Sequence, residues 1–241
     1  MTGPFARVAV CIDHSPADDR GIAAVTRLAP RRIDLVHVAP PGAVAGYSRW
    51  GVDRQLAHRR AEEWLDGRAA AVPGAVPVLL WGDPADALIA WAAREEPDLM
   101  VLASHPGPID RLLGGVTRRL VVDAPCPVLV VPPGCPDGAG SWARPGAGFA
   151  HIACCVDPSA SSVRAARLAR RVADAGGPCR ISLVHAVDDG TPDAEILAWA
   201  ETAAPDLIVA AAHDGPLERA RHGSVAWRLA RHARCPVLVT R

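Results

Sequence analysis

The sequence predicts an α/β protein built from two doubly wound parallel-sheet domains, the second shorter than the first. Two observations predict this fold class. Motifs from the first half of the 241-residue chain recur in the same order in the second half. Within each half, short apolar runs alternate with stretches of helical character. Such alternation is typical of βαβ units, whose parallel strands are covered by helices on both faces.

The composition fits this fold and limits the function. Half of the residues are hydrophobic (50%) and 22% are charged, which allows a sizeable core. The 26 basic and 26 acidic residues balance to a net charge of +0, so nothing indicates nucleic acid or an anionic membrane as a partner. Every basic residue of that count is arginine, which excludes a lysine nucleophile and a phosphate-loop lysine.

The cysteine pattern and the hydropathy predict a reduced, cytoplasmic protein. The 7 cysteines form no C-x-x-C motif, and no histidine and cysteine cluster has zinc spacing. No apolar run approaches the roughly 20 residues that a membrane-spanning helix requires. We therefore expect buried free thiols, no metal and no membrane anchorage.

An internal repeat is the strongest feature of the sequence. Residues 82–101 read GDPADALIAWAAREEPDLMV, and residues 190–209 read GTPDAEILAWAETAAPDLIV. The other matched pairs are APCPVLV at 124–130 with ARCPVLV at 233–239, and LVHV at 35–38 with LVHA at 183–186. Ordered matches of this kind indicate duplication of one structural unit.

The second copy of the repeat is shortened. The offset is 148 residues between His37 and His185 but 108 residues between Gly82 and Gly190, so the second copy lacks 40 residues. The corresponding stretch of the first copy has a helical pattern followed by a short strand at Val76–Trp81. We predict a full domain at 1–131, a Pro- and Gly-rich linker at 132–148, and a second domain at 149–241 without that helix and strand.

The first apolar run of each copy ends in an aspartate, Asp13 or Asp157, followed two residues later by a serine. Ligands of parallel sheets bind beyond the carboxyl ends of the strands, where these aspartates lie. The same pattern also suits the cap of the following helix, so both roles stay open. His37 and His185 lie inside apolar strands, and Trp91 and Trp199 lie on apolar helix faces; we expect all four in the core.

The order of these motifs, present twice, resembles the universal stress protein family. The motifs are Asp-x-Ser after the first strand, Leu-Val-His, Gly-x-Pro before a helix, Pro-Asp-Leu, a Gly-Ser-Val helix start and a closing Cys-Pro-Val-Leu-Val. The resemblance implies a parallel sheet of the adenine nucleotide alpha hydrolase-like type, a stress-associated regulatory role and, in some members, binding of ATP with Mg²⁺. The nucleotide-binding positions implied for the first copy are Asp13, Val38, Ala103, His105, Gly107, Gly114, Gly115, Val116 and Thr117. Those implied for the second copy are Asp157, Gly223, Ser224 and Val225.

The phosphate loop departs from the family pattern G-x2-G-x9-G-[S/T] in the first copy. Ala103 and Pro106 stand at the first two glycine positions, and Gly115 replaces the hydroxyl residue. Proline has no N–H to donate to a phosphate oxygen.

The second copy departs at different positions of the same loop. Ala211 and Asp214 replace the glycines there, whereas Gly223 and Ser224 are kept. Binding of ATP or AMP at one site, or at neither site, therefore remains open.

Catalysis has little support in the sequence, which contains no G-x-S-x-G motif and no recognisable acid–base pair. We expect a regulatory module that is not an enzyme, with a weak adenine nucleotide hydrolase and a structural scaffold as alternatives. The resemblance also implies that the two domains pair through their last strands, Val128–Val131 and Val237–Thr240. Homodimerisation of the whole chain stays open.

Overall fold

The computed structural model describes residues 3–39, 54–105, 115–135, 148–187, 191–212 and 225–240. In the first copy, strands and helices alternate along the chain. They are β1 (Arg7–Ile12), α1 (Asp18–Leu28), β2 (Arg32–Ala39), α2 (Arg54–Ala70), β3 (Ala75–Trp81), α3 (Pro84–Glu95), β4 (Leu99–Ala103), α4 (Val116–Asp123) and β5 (Val128–Val131).

The second copy repeats this order with fewer elements. They are β6 (His151–Cys155), α5 (Ala160–Ala175), β7 (Arg180–Val184), α6 (Pro192–Ala203), β8 (Leu207–Ala211), α7 (225–232) and β9 (Val237–Thr240). Only residues 185–191 separate β7 from α6, so the second copy has no room for counterparts of α2 and β3.

All nine strands form one sheet in the order β3-β2-β1-β4-β5-β9-β8-β6-β7. Neighbouring strands are parallel except at the centre, where β5 and β9 are antiparallel and pair Val128 with Val239 and Val130 with Val237. This joint links the two segments that were expected to meet. Each copy therefore supplies one parallel part of a continuous sheet, which the α/β prediction described correctly.

The central strands are mostly apolar because helices cover both faces of the sheet. Within β4, Leu99 and Val101 belong to the core layer that includes α1, α2 and α5. Met100 and Leu102 belong to the opposite layer, with α3, α4 and α7. Two buried faces explain why these strands read as continuous rather than alternating apolar runs.

A reciprocal contact joins the two copies beside the central joint. The guanidinium carbon of Arg27, on α1, lies 4.3 Å from the ring centroid of Phe149. The guanidinium carbon of Arg171, on α5, lies 4.8 Å from the ring centroid of Phe5. Arg27 and Arg171 are 144 residues apart, as are Phe5 and Phe149. Each copy thus places the same arginine over the same phenylalanine of the other, in the geometry of a cation–π pair.

The shortened second copy leaves β7 at the sheet edge, and this overturns one prediction. His37 is buried as expected, and its Nδ1 lies 3.0 Å from the Ile12 carbonyl oxygen. His185 forms the equivalent contact, 2.7 Å from the Val156 carbonyl oxygen, but it is exposed. The expectation of a core position for His185 was wrong because no strand in the described part of the chain covers the outer side of β7.

The two equivalent tryptophans also differ in burial, and the one in the second copy is again the more exposed. Trp91 is buried, as predicted, whereas Trp199 is only partly buried against the core.

All seven cysteines are free thiols. Burial raises the pKa of Cys155 to about 12, so this thiol is protonated at neutral pH. Of the helices that the structure describes, none has both the length and the apolar character needed to cross a membrane.

Candidate functional site

The candidate site lies where the carboxyl ends of β1, β2 and β4 meet. The chain leaves β1 for β2 on one side and later returns to β4 on the other, so β1 and β4 flank a topological switch point. The strand register aligns Ile12 with His37 and Cys11 with Leu102. Asp13, Val38 and Ala103 therefore follow at one edge of the sheet. Open α/β sheets bind ligands in the crevice at such an edge.

Asp13 and His105 connect the two sides of this crevice. The Oδ2 atom of Asp13 lies 2.8 Å from Nε2 of His105, and Oδ1 accepts a hydrogen bond from the Ser15 N–H at 3.1 Å. The Asp13 side chain is 58% exposed and that of His105 is 37% exposed, so both groups face solvent. Burial acts to raise the pKa of Asp13, but the hydrogen bonds from His105 and Ser15 outweigh it and lower that pKa. Asp13 is therefore an ionised acceptor that a ligand can reach.

His14 is a site residue that the sequence analysis missed. Its φ of +68° lies in the left-handed region, which side chains other than glycine seldom occupy. The imidazole stacks on Trp64 of α2, with ring centroids 3.3 Å apart, and contacts His37 edge-on at 4.8 Å. Burial, assisted by the nearby His37, lowers the pKa of His14. This cluster forms an aromatic wall on the α2 side of the crevice.

One signal in the sequence distinguishes His14 from its counterpart. The second copy has Pro158 at the matching position. Proline fixes φ near about −65°, so the second copy cannot adopt the same backbone there.

Two polar contacts from α1 fix the loop between β1 and α1, one to the loop itself and one to the residue that follows β4. The Asp18 carboxylate accepts a hydrogen bond from the Asp13 N–H at 3.0 Å. Arg20 donates to the Ser104 carbonyl oxygen at 3.1 Å. Burial, together with the nearby Asp13 charge, raises the pKa of Asp18 to about 6. Contacts from α1 thus fix the position of the loop that carries Asp13.

The predicted phosphate-binding positions lie at the start of α4. Gly115 precedes the helix without a side-chain cap, Val116 begins it, and Thr117 is buried in its first turn. The amino end of a helix presents N–H groups that suit an anion. The other two positions assigned to this loop, Gly107 and Gly114, lie outside the described residues.

The second copy uses its aspartate differently. Asp157 Oδ1 accepts hydrogen bonds from the Ser159 N–H at 3.0 Å, from the Ser159 hydroxyl, and from the Ser162 hydroxyl at 2.5 Å. Ser159 in turn caps α5. Of the two roles left open, Asp157 therefore takes part in starting a helix, whereas Asp13 faces the crevice. Val225 begins α7 and is partly buried; Gly223 and Ser224 lie outside the described residues.

A duplicated α/β fold with its crevice at the switch point places the chain among the proteins built on an open, doubly wound parallel sheet. The model of the Universal stress protein family matches residues 4–132 and 180–241, so the chain belongs to that family.

Known relatives agree with this assignment. A universal stress protein of Thermus aquaticus, encoded in the 3′ region of a sulfhydrylase gene, is 35% identical over 107 residues, which cover 42% of this chain and 77% of the relative. A universal stress protein structure from Archaeoglobus fulgidus DSM 4304 superposes with a TM-score of 0.74 at 17% identity, covering 98% of this chain and 96% of its own. A structure from Pseudomonas aeruginosa UCBPP-PA14, described as a universal stress protein, gives a TM-score of 0.61 at 15% identity, covering 98% and 93%. At these identities, the two structures show a shared fold.

Proposed function

We propose that the first copy binds one adenine nucleotide in the crevice between β1 and β4, and that the protein is a nucleotide-responsive regulatory module. The exposed pair of Asp13 and His105 at the switch point is the observation that carries this proposal. The Asp13 carboxylate suits the hydroxyl groups of a ribose, and the backbone at Val38 suits the edge of an adenine ring. Released from Asp13, His105 can turn toward a phosphate.

The second copy serves as the structural partner in this proposal. Three hydrogen bonds from the start of α5 reach Oδ1 of its Asp157, so this carboxylate takes part in the helix cap. Pro158 excludes the backbone conformation of His14, and the described part of the second copy has no helix that corresponds to α2. We therefore expect one nucleotide per chain.

Titration calorimetry with ATP and with AMP, each with and without Mg²⁺, tests the proposal. We expect one site per chain for the unmodified protein. Asp13→Asn should weaken binding by about tenfold or more, because the amide loses the charge-assisted hydrogen bond that a carboxylate offers to a hydroxyl. Asp157→Asn is the matched control and should leave affinity unchanged. Equal losses in the two variants, or two sites per chain, would contradict the single-site assignment.

A scaffold that binds no nucleotide is the second candidate, and one observation favours it. The phosphate loop has Ala103 and Pro106 in place of glycines, and Asp13 already has a partner in His105. The same titration decides between the candidates. Absence of heat at millimolar ATP, both for the unmodified chain and for His105→Ala, would favour the scaffold.

We also propose that the protein acts by binding rather than catalysis, and that it works in the reducing cytoplasm. The lack of a recognisable acid–base motif in the sequence supports the first statement. The second statement is supported by the seven cysteines, none of which forms a disulfide. Phosphate release from ATP above the rate in buffer, lost in Asp13→Asn, would instead identify a weak hydrolase.

A further inference from the structure

The outer edge of β7 carries an exposed apolar patch. The patch consists of Leu183 on β7, which is 68% exposed, Val187 just beyond that strand, which is 75% exposed, and Val163 on α5, which is 52% exposed. Exposed valines and leucines are common singly, but three of the five large apolar side chains that the described residues expose belong to β7, the residues after it and the helix packed on it, which indicates a contact surface.

In the first copy, a helix and a strand cover the surface that corresponds to this patch. Leu35 occupies the position of Leu183 in the repeat and is fully buried, at 0% exposure. Its core layer includes Leu65 and Ala69 of α2, and β3 pairs along the outer side of β2. The patch on the second copy is therefore a core surface from which the covering helix and strand are missing.

We propose that β7 pairs with β7 of a second copy of this chain, antiparallel, so that two nine-stranded sheets become one in a symmetric dimer. An edge strand offers N–H and C=O groups on its outer side that can pair with a strand of another chain. In a twofold arrangement, the patch of each chain meets the same patch of the other, so apolar surface is matched with apolar surface. The nucleotide proposal plays no part in this inference.

The charge distribution along β7 favours antiparallel self-pairing. Arg180 is the only charged residue from 179 to 187, and it lies at one end of this stretch. Antiparallel pairing puts the two arginines at opposite ends of the ladder, whereas parallel pairing would place them side by side. The chain already uses such a joint, because the equivalent strands β5 and β9 pair antiparallel through apolar residues.

Pairing of β7 with the opposite sheet edge, β3, is less suitable. The exposed apolar residues at that edge, Val76 and Trp81, are only 40% and 39% exposed. Contact between two different edges is also heterologous, so it would extend into open filaments instead of closing as a dimer.

Sedimentation equilibrium of the full chain from 1 to about 200 μM, a range chosen to bracket weak symmetric association, tests the proposal. We expect a mass approaching twice the 25.2 kDa of one chain as concentration rises. Leu183→Arg should weaken dimerisation on the order of 100-fold, because two apolar contacts are lost and two charges are desolvated. Val187→Glu should weaken it in the same direction.

The matched control is Val76→Arg at the other sheet edge, which should leave the dimer intact. Because Leu183 is mostly exposed, circular dichroism at concentrations where the chain is monomeric should show an unchanged fold and melting temperature for Leu183→Arg. A monomer at every concentration would overturn the proposal, as would a dimer that resists both β7 variants. Loss of assembly in Val76→Arg would also overturn it, because that result assigns the contact to β3.

Discussion

Asp34 offers a sharp test of how the first copy is stabilised. This carboxylate, on β2, is completely buried. It accepts hydrogen bonds from Arg7 Nε at 2.5 Å and from Arg32 Nε at 2.7 Å. Arg7 also donates to the Glu95 carbonyl oxygen at 2.6 Å. Asp34 thus links β1 with β2 at the amino ends of these strands, and Arg7 extends the link to the end of α3.

The second copy joins the equivalent two strands without a carboxylate. Ser182 stands at the position of Asp34, His151 at that of Arg7, and Arg180 at that of Arg32. His151 Nε2 lies 2.9 Å from the Ser182 hydroxyl oxygen, and its Nδ1 lies 2.9 Å from an Arg180 nitrogen. The molecule therefore contains both a charged and a largely neutral version of one contact.

We expect Asp34→Ala to destabilise the protein by about 2–3 kcal/mol. Removing one member of a fully buried ion pair costs about 3–5 kcal/mol, because the other charge is left uncompensated. Here the loss is smaller, since the side chains of Arg7 and Arg32 are 25% and 50% exposed and can take up water. Asp34→Asn should cost about as much, because its amide NH₂ group meets N–H donors. The measurement is the free energy of unfolding in urea, followed by circular dichroism.

A double substitution provides the control. Arg7→His combined with Asp34→Ser copies the second repeat, and it should be more stable than Asp34→Ser alone because histidine can bond the serine hydroxyl, as His151 does with Ser182. Ordinary surface substitutions change the free energy of unfolding by about 0.5 kcal/mol or less. If Asp34→Asn changes it by no more than that, the buried carboxylate does not hold these elements together.

The remaining predictions concern the pH dependence of stability, a pair of equivalent leucines in the two copies, and an exposed group of ion pairs. The pKa of Asp18 is about 6 in the folded protein and about 4 in an unfolded chain. Between these values only the unfolded state loses its proton, so stability falls as pH rises through that window. Asp18→Asn should remove this fall and raise stability above pH 6 by at most about 3 kcal/mol, as measured by urea unfolding from pH 4 to 8. Leu35→Ala should cost about 2–5 kcal/mol, whereas Leu183→Ala should cost below about 1 kcal/mol at concentrations where the chain is monomeric. Arg119→Ala breaks exposed ion pairs with Asp83 and Asp86 that solvent screens, so its urea unfolding midpoint should match that of the unmodified protein.

Most of the fold follows from local pattern and from the repeat. The apolar run predicted as a strand at Val76–Trp81 is observed at Ala75–Trp81. A buried parallel strand carries its signal in its own residues, because both of its faces need apolar side chains. The exposure of His185 could not be predicted in this way. It depends on whether a further strand lies alongside β7, and two strands with similar sequences differ in that respect.

The site was predictable residue by residue but not as an arrangement. Asp13 follows from its place after the first strand, and His105 from its place near the end of β4. Their contact joins residues that are 92 positions apart, and no local pattern encodes it. The backbone of His14 was equally hidden, since a positive φ in a histidine results from the surrounding contacts and not from its own preference.

The segment that the second copy lacks explains why proline suits position 158. A left-handed backbone at a residue other than glycine costs on the order of 1–3 kcal/mol and needs compensation from its surroundings. In the first copy, His14 obtains this by stacking on Trp64 of α2. The second copy has no room for a counterpart of α2, so nothing there would compensate the strain. Proline at position 158 instead fixes an ordinary φ, and Asp157 turns to the start of α5. Loss of one helix thus accounts both for the role of Asp157 at the start of α5 and for the open β7 edge. For this reason, we assign the ligand to the first copy and the dimer contact to the second.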